Sequence, residues 1–161
     1  MIEPASAGTG TPQDLGLSGA FRIDREGTWR HEGVEVTHPG VLRNLYANLR
    51  ADASGHYLQA GPFRVPVEVD DAPFVVVRAK TDDPGAIEVY LSDGSRETLD
   101  PETLVLGARG IPYCRVKGGP LRARFSVAAW LQLAERIEAT AEAEASALVV
   151  GGRRIMLRQS D

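Results

Sequence analysis

The chain has 161 residues, 43% of them hydrophobic, and a formal net charge of −4. This length and composition predict a folded globule, either one compact domain or two small lobes that share a core. The net charge gives no overall attraction for nucleic acid or for an anionic membrane, and no apolar run is long enough to span a bilayer. Neither is therefore predicted as a partner.

The N-terminal region, MIEPASAGTGTPQDLGLSG, lacks the basic start and the apolar core of a signal peptide. Its Gly, Pro, Ser and Thr content predicts a flexible tail over residues 1–18, and the predicted location is the cytoplasm. The single cysteine, Cys114, cannot form an intramolecular disulfide and lies in an apolar alternation. A buried, reduced thiol is therefore expected.

A first unit is predicted over residues 19–71. Its opening stretch, FRIDREGTWRHEGVEVTHPG, alternates in short pieces broken by glycines, which indicates two or three short strands. Thr37 is a good N-cap, and the apolar residues after it recur at helical spacing, so a helix is predicted over residues 38–51. Extended, alternating sequence then follows as far as Asp70.

A second unit is predicted over residues 113–161, after connecting strands in residues 72–112. The stretch YCRVKGGPLRARFS is typical of a hairpin, and Ser126 can cap a helix over residues 127–138. Shifting the sequence by 88 positions superposes the apolar stripes of the two predicted helices, with Leu42 on Trp130.

The order of elements predicts an α+β fold made of two related ββαββ units, in which a mostly antiparallel sheet packs against two main helices. The alternative is that two amphipathic helices flanked by hairpins match by chance, because the menu of supersecondary units is small.

Three motifs in this order resemble the bacterial domain-of-unknown-function 1285 (DUF1285) family. They are GTWRHEG at residues 27–33, VEVDDAPFVV at residues 67–76 and YCRVKGGPLRARFS at residues 113–126. The resemblance covers nearly everything from Phe21 to Arg158. It implies a compact α/β fold with repeated motifs and a suggested role in signalling or regulation, and it supplies no catalytic residues.

Three carboxylates, Glu68, Asp70 and Asp71, precede an apolar run. A metal site would need further ligands, and the histidines His31, His38 and His56 show no paired ligand spacing. The structural interpretation is that Asp70 and Asp71 cap a turn fixed by a following proline, while Glu68 and Asp70 face cations on a neighbouring strand.

The predicted hairpin at residues 113–126 places its apolar residues on one face and four cations, Arg115, Lys117, Arg122 and Arg124, on the other. Like charges on paired strands repel one another, so something should offset them. One candidate is a set of acidic side chains from adjacent strands, Glu68 and Asp70 among them. The other is an anionic ligand held by arginine forks.

The leading hypothesis is a cytoplasmic, non-enzymatic regulatory or ligand-binding module that holds a small anion or an acidic protein partner at Arg115, Lys117, Arg122 and Arg124, without a cofactor. The alternatives are a metal-assisted hydrolase that uses Glu68, Asp70, Asp71 and His31, and a purely structural assembly protein. A homodimer is also predicted, because the second helix carries apolar side chains around more than a narrow stripe.

Overall fold

A computed structural model describes residues 20–82, 86–134, 137–139, 146–150 and 153–159. The tail predicted at residues 1–18 lies outside these ranges. The chain divides into two compact units, with the boundary along the chain between Asp71 and Ala72. In the described ranges, no helix is both long enough and apolar enough to cross a bilayer.

Within residues 20–71, the first unit contains one six-stranded sheet and one helix. In chain order its elements are β1 (Phe21–Ile23), β2 (Trp29–His31), β3 (Val34–Glu35), α1 (Pro39–Asn48), β4 (Leu49–Asp52), β5 (Gly55–Ala60) and β6 (Phe63–Val69). The strand order is β3-β2-β1-β6-β5-β4. Every pair is antiparallel except β1 with β6, which is parallel. The core is built from large side chains that are almost fully buried, namely Ile23, Trp29, Leu45, Leu49 and Leu58.

Helix α1 is shorter than the predicted span of residues 38–51, and the predicted cap at Thr37 is wrong. The N-cap is His38, whose Nδ1 accepts hydrogen bonds from the backbone N–H groups of Gly40 and Val41. The helix ends after Asn48 because Leu49 is extended and pairs with β5. A long-range strand pairing therefore ends the helix, although the sequence there retains a helical pattern.

The described part of the second unit contains a seven-stranded sheet, a three-stranded sheet and one helix. Its strands are β7 (Phe74–Asp82), β8 (Ala86–Leu91), β9 (Arg96–Thr98), β10 (Val105–Leu106), β11 (Pro112–Arg115), β12 (Arg122–Phe125), β13 (Ile137–Ala139), β14 (Ser146–Val150), β15 (Arg153–Met156) and β16 (Arg158–Gln159). Helix α2 spans Val127–Ala134, and short 3₁₀ helices span Pro101–Thr103 and Ala108–Gly110. The strand orders are β16-β10-β11-β12-β7-β8-β9 and β13-β14-β15.

Helix α2 packs beside β7. The Oγ of Ser126 accepts a hydrogen bond from the N–H of Ala129, as the predicted cap requires. The side chain of Gln132 accepts one from the N–H of Ala79 at 2.7 Å, which ties the helix to the strand. The predicted helix end at residue 138 is wrong, because Ile137–Ala139 is strand β13 and pairs with β14.

The α+β class, with mostly antiparallel pairing and two helices, is confirmed. The strand pairing around the two helices differs. In the first unit the strands before and after α1 belong to one sheet, whereas in the second unit the first three strands after α2, β13 to β15, form a sheet of their own and β16 joins the seven-stranded sheet. The segment predicted as connecting strands supplies β7 to β10 to the same sheet as the hairpin β11–β12.

Candidate functional site

The hairpin β11–β12 has one buried face and one charged face, as its alternation predicts. The buried face is lined by Cys114, Val116, Leu121, Ala123 and Phe125, each at most 9% exposed. On the charged face, Arg115 lies directly opposite Arg122, and Tyr113 lies opposite Arg124. Two guanidinium groups therefore occupy one cross-strand position, an arrangement that destabilises the hairpin unless another group compensates.

Lys117 does not share this face, so the predicted grouping of four cations reduces to three arginines. Its Nζ lies 2.8 Å from a carboxylate oxygen of Asp93 and 2.7 Å from the Oγ of Ser95. Its backbone N–H donates a hydrogen bond to the Glu97 carboxylate. Its ammonium group lies 5.6 Å from the centre of the ring of Phe74, which is buried. Lys117 therefore joins the hairpin turn to the β8–β9 turn.

Neither Arg115 nor Arg122 lies within 4 Å of a carboxylate among the described residues. The guanidinium of Arg122 stacks 4.7 Å over the Tyr113 ring, and Arg115 donates to the carbonyl of Pro120 at 3.2 Å. Both groups are thus positioned by neutral partners. A guanidinium has five N–H donors, so most of their donors remain available to an anion.

The same face of the sheet carries further cations that the sequence analysis missed. Arg78 on β7 pairs across the strands with Tyr90 on β8, and Tyr90 pairs with Arg96 on β9. Arg78 stacks 5.2 Å over the Tyr90 ring, while the Tyr90 hydroxyl donates to Glu88 at 2.8 Å. Arg96 lies 3.8 Å from the same carboxylate.

A β-bulge explains why the alternation did not reveal Arg78. The β7–β8 register shifts between Val76 and Arg78. A bulge adds one residue to a strand, so side chains beyond it change face relative to simple alternation. As a result Arg78 joins the face of Arg124, which is paired with Val75 on β7. We call this surface the basic face: Arg78, Arg96, Arg115, Arg122 and Arg124, with Tyr90, Tyr113 and Glu88.

The three predicted carboxylates lie in the first unit, where arginines neutralise them. The parallel pairing of β1 with β6 sets Arg22 beside Glu68. Arg22 donates from Nε to Asp70 at 2.9 Å and lies 3.6 Å from Glu68, while Arg25 lies 4.0 Å from Asp71. Glu68 and Asp70 thus face a cation on a neighbouring strand, as predicted, and that cation is Arg22 of β1 rather than the hairpin.

This carboxylate region borders a charged cavity of about 420 Å³ lined by Ala20, Arg22, Asp24, Arg30, Gly33, Glu68 and Asp70. Among the described residues, no group of three or more His, Cys, Asp or Glu side chains is arranged to hold a metal ion. His31 instead stacks on Phe21, with ring centres 4.4 Å apart. The residues of the hydrolase hypothesis are thus engaged in ion pairs and ring packing.

A second cavity of about 330 Å³ lies beside α1. It is lined by Val41, Asn44, Leu45, Asn48, Leu58, Gln59, Ala60 and Gly61. Its floor is apolar, and its amide groups largely bond to neighbouring protein atoms, as Asn48 does to Asn44 and Gln59 does to the carbonyls of Gly61 and Phe63. None of the described residues that line it is charged.

Two potential nucleophiles, Ser95 and Cys114, lie in the second unit. The hydroxyl of Ser95 accepts a hydrogen bond from Nζ of Lys117, which also donates to Asp93. Burial alone would raise the pKa of Asp93, and hydrogen bonds from Lys117 and Ser95 lower it below its ordinary value. Burial raises the pKa of Cys114 to about 12, which leaves it a thiol at neutral pH.

The geometry can be compared with solved structures. No family model matches the sequence, and no curated protein matches it significantly. A crystal structure of a DUF1285 family protein from Silicibacter pomeroyi DSS-3 is similar, with a TM-score of 0.73 and 25% identity, over 88% of this chain and 80% of that one. The chain has the fold of the DUF1285 family.

A second DUF1285 structure, from Shewanella baltica OS155, is also similar. Its TM-score is 0.63 at 20% identity, and the match covers 73% of this chain and 91% of that one. Because the DUF1285 label denotes unknown function, neither structure supplies a ligand or a reaction. The surfaces of this chain therefore carry the evidence for its function.

Proposed function

We propose that this DUF1285 protein is a non-enzymatic binding module whose second unit holds an anionic ligand at Arg115 and Arg122. The observation that carries the proposal is the direct cross-strand juxtaposition of these two arginines with no carboxylate beside either of them in the described ranges. An anion between the two guanidinium groups would replace repulsion with charge-assisted hydrogen bonds.

Several other cations of the described sheets have acidic partners, unlike this pair. Arg22 contacts Asp70 at 2.8 Å, Arg64 contacts Asp52 at 2.7 Å, and Lys117 contacts Asp93 at 2.8 Å. Arg115 and Arg122 are held by a backbone carbonyl and an aromatic ring instead. These contacts orient the guanidinium groups without neutralising them, as an anion site requires. Arg124 flanks them and is included in the site, while Lys117 is committed to Asp93.

The proposal extends to the location, role and assembly of this module. A cytoplasmic location is supported by the buried, unpaired thiol of Cys114. A regulatory role, in which binding of the anion is the signal, follows the family resemblance. The proposal that the two units are related repeats is supported by the described parts of the units, each of which has a helix flanked by strands on both sides. The homodimer stays a prediction, with Val127 and Leu131 of α2 being 77% and 62% exposed.

The test is calorimetric titration and thermal unfolding with inorganic phosphate and pyrophosphate as probes. A ligand present at ten times its Kd stabilises the native state by about 1.4 kcal/mol, so the unfolding midpoint should rise by a few degrees. Replacing both arginines, with Arg115→Ala and Arg122→Ala, should abolish that rise and the heat of binding. Arg122→Lys should retain only part of the affinity, because lysine keeps the charge but loses the planar fork.

Arg43→Ala is the matched control, since Arg43 is an exposed arginine on α1 in the other unit. It removes the same charge and should leave the titration unchanged. Equal binding by the double variant would refute the site. Equal weakening by Arg43→Ala would show that only the overall charge matters.

A further inference from the structure

The basic face is larger than a single phosphate. Strands lie about 4.8 Å apart and rise about 3.3 Å per residue, which places the Cα atoms of Arg122 and Arg78 on the order of 14 Å apart. Arg96, two strands beyond β7 in the sheet order, is on the order of 20 Å from Arg122 by the same geometry. One compact anion cannot reach both ends, whereas an extended chain of about five or six residues can.

An apolar side chain interrupts the charges. Val77 is 48% exposed, and it lies in the bulge immediately before Arg78. Along β7 it therefore lies between Val75, which pairs with Arg124, and Arg78. An exposed apolar residue next to an arginine can add an apolar contact to the charged ones when a protein segment binds.

The two aromatic rings of the face argue against nucleic acid as the occupant. Single-stranded nucleic acid binds by stacking its bases on open aromatic faces. Here the guanidinium of Arg122 covers the Tyr113 ring and that of Arg78 covers the Tyr90 ring, at 4.7 and 5.2 Å. Tyr113 is also only 8% exposed. The face offers guanidinium groups for carboxylates or phosphates rather than platforms for bases.

We propose that the basic face binds an extended acidic segment of a partner protein, whose carboxylates contact Arg115, Arg122 and Arg78 and whose apolar side chain packs on Val77. This inference rests on the proposed anion site and names its physiological occupant. The charge complementarity is local, because the whole chain carries a net charge of −4.

The experiment measures binding of a labelled acidic peptide about six residues long, made of glutamates around a central valine, to the full chain by fluorescence anisotropy. It should bind more tightly than pyrophosphate. Arg78→Ala and Val77→Ser should each lower the affinity for the peptide by about tenfold and leave the affinity for pyrophosphate unchanged. The matched controls are Arg43→Ala and Val34→Ser, since Val34 is 69% exposed on β3 of the first unit. Neither control should change peptide binding.

The remaining outcomes separate this inference from the proposed function. Suppose that pyrophosphate binds and that the peptide binds no more tightly than pyrophosphate, or that its affinity is unchanged by both Val77→Ser and Arg78→Ala. Either result would overturn the inference and leave the proposed anion site standing. A single-stranded RNA of equal charge, or an anionic lipid vesicle, that binds more tightly than the peptide would also overturn it. Failure of both pyrophosphate and the peptide would overturn the arginine site itself.

Discussion

Cys114 is a buried thiol on the inner face of the β11–β12 hairpin, 1% exposed. Burial, with a smaller contribution from the negative charge of Glu97, raises its pKa from 9.0 to about 12. Both effects disfavour the thiolate, which is the reactive form of cysteine. The residue therefore contributes packing to the sheet that carries the basic face, and it is chemically inert in the native state.

Two results are expected at Cys114. The native protein should not react with a thiol-specific disulfide reagent at neutral pH, and full reaction should follow denaturation. The unfolded thiol ionises near 9.0 while the folded one stays protonated to about 12, so its stabilising contribution is complete below pH 9 and is lost as the pH rises toward 12. Urea unfolding between pH 9 and pH 12 should therefore show that the free energy of unfolding falls less for Cys114→Ala than for the parent protein. Rapid labelling of the native protein would contradict the burial.

At the scale of elements, two hairpins use the same tight turn with different surroundings. Glu32 and Gly33 connect β2 to β3 with φ angles of 53° and 83°, and Lys117 and Gly118 begin the β11–β12 turn with φ angles of 61° and 64°. Positive φ at both central residues is the signature of a type I′ turn, in which Asn is preferred at the first position. Each turn therefore places a long side chain at a position whose positive φ angle disfavours it.

The two turns should respond oppositely to the same substitution. Glu32→Asn should stabilise the protein by about 0.5–1 kcal/mol, because asparagine tolerates the left-handed backbone. Lys117→Asn should destabilise it, because the contacts of Nζ with Asp93 and Ser95 are lost. Chemical denaturation of the two variants beside the parent measures both effects. A gain in stability for Lys117→Asn would show that those contacts contribute less than the backbone strain.

The facing arginines of the hairpin give a second prediction at this scale. Arg115→Glu would place a carboxylate opposite Arg122 and convert a repulsive cross-strand pair into an attractive one. We expect a rise in stability of about 0.2–1 kcal/mol together with loss of pyrophosphate binding. Thermal unfolding and calorimetry on one sample measure both quantities. A variant that loses stability, or that still binds the anion, would contradict the arrangement.

At the scale of the whole molecule, the carboxylates that suggested a metal site are paired with arginines. Asp70 contacts Arg22 at 2.8 Å, and Asp71 lies 4.0 Å from Arg25. A divalent cation would have to displace both guanidinium groups, which opposes binding. The charge pattern therefore favours a scaffold in the first unit and a binding surface in the second.

Adding Mg²⁺ or Zn²⁺ should accordingly leave the thermal unfolding midpoint unchanged. Asp70→Asn should lower that midpoint because it breaks the ion pair with Arg22, with or without metal. A metal-dependent rise that disappears in Asp70→Asn would revive the hydrolase hypothesis.

The sequence predicted the features that local alternation determines, and it did not predict those that pairing with a distant strand determines. The buried face of Cys114 and Ala123 and the cap at Ser126 followed from spacing, because neighbours along the chain define them. The end of α1 at Asn48 and the bulge before Arg78 did not, because pairing with another strand fixes each. The arginine pair of the proposed site is visible in the hairpin sequence, whereas Arg78 and Arg96 reach the same face only through the pairing of the sheet.

The parallel pairing of β1 with β6 also delays completion of the first sheet during synthesis of the chain. Phe21 to Ile23 can meet their partners at Val67 to Val69 only after the intervening chain has been made. At a ribosomal rate of about 5–20 residues per second, that delay is about two to nine seconds. During this interval the β1–β2 hairpin has an open edge on which another nascent chain could pair. Arg22, on that edge, gives it a charge that opposes association with a second copy until Glu68 and Asp70 arrive.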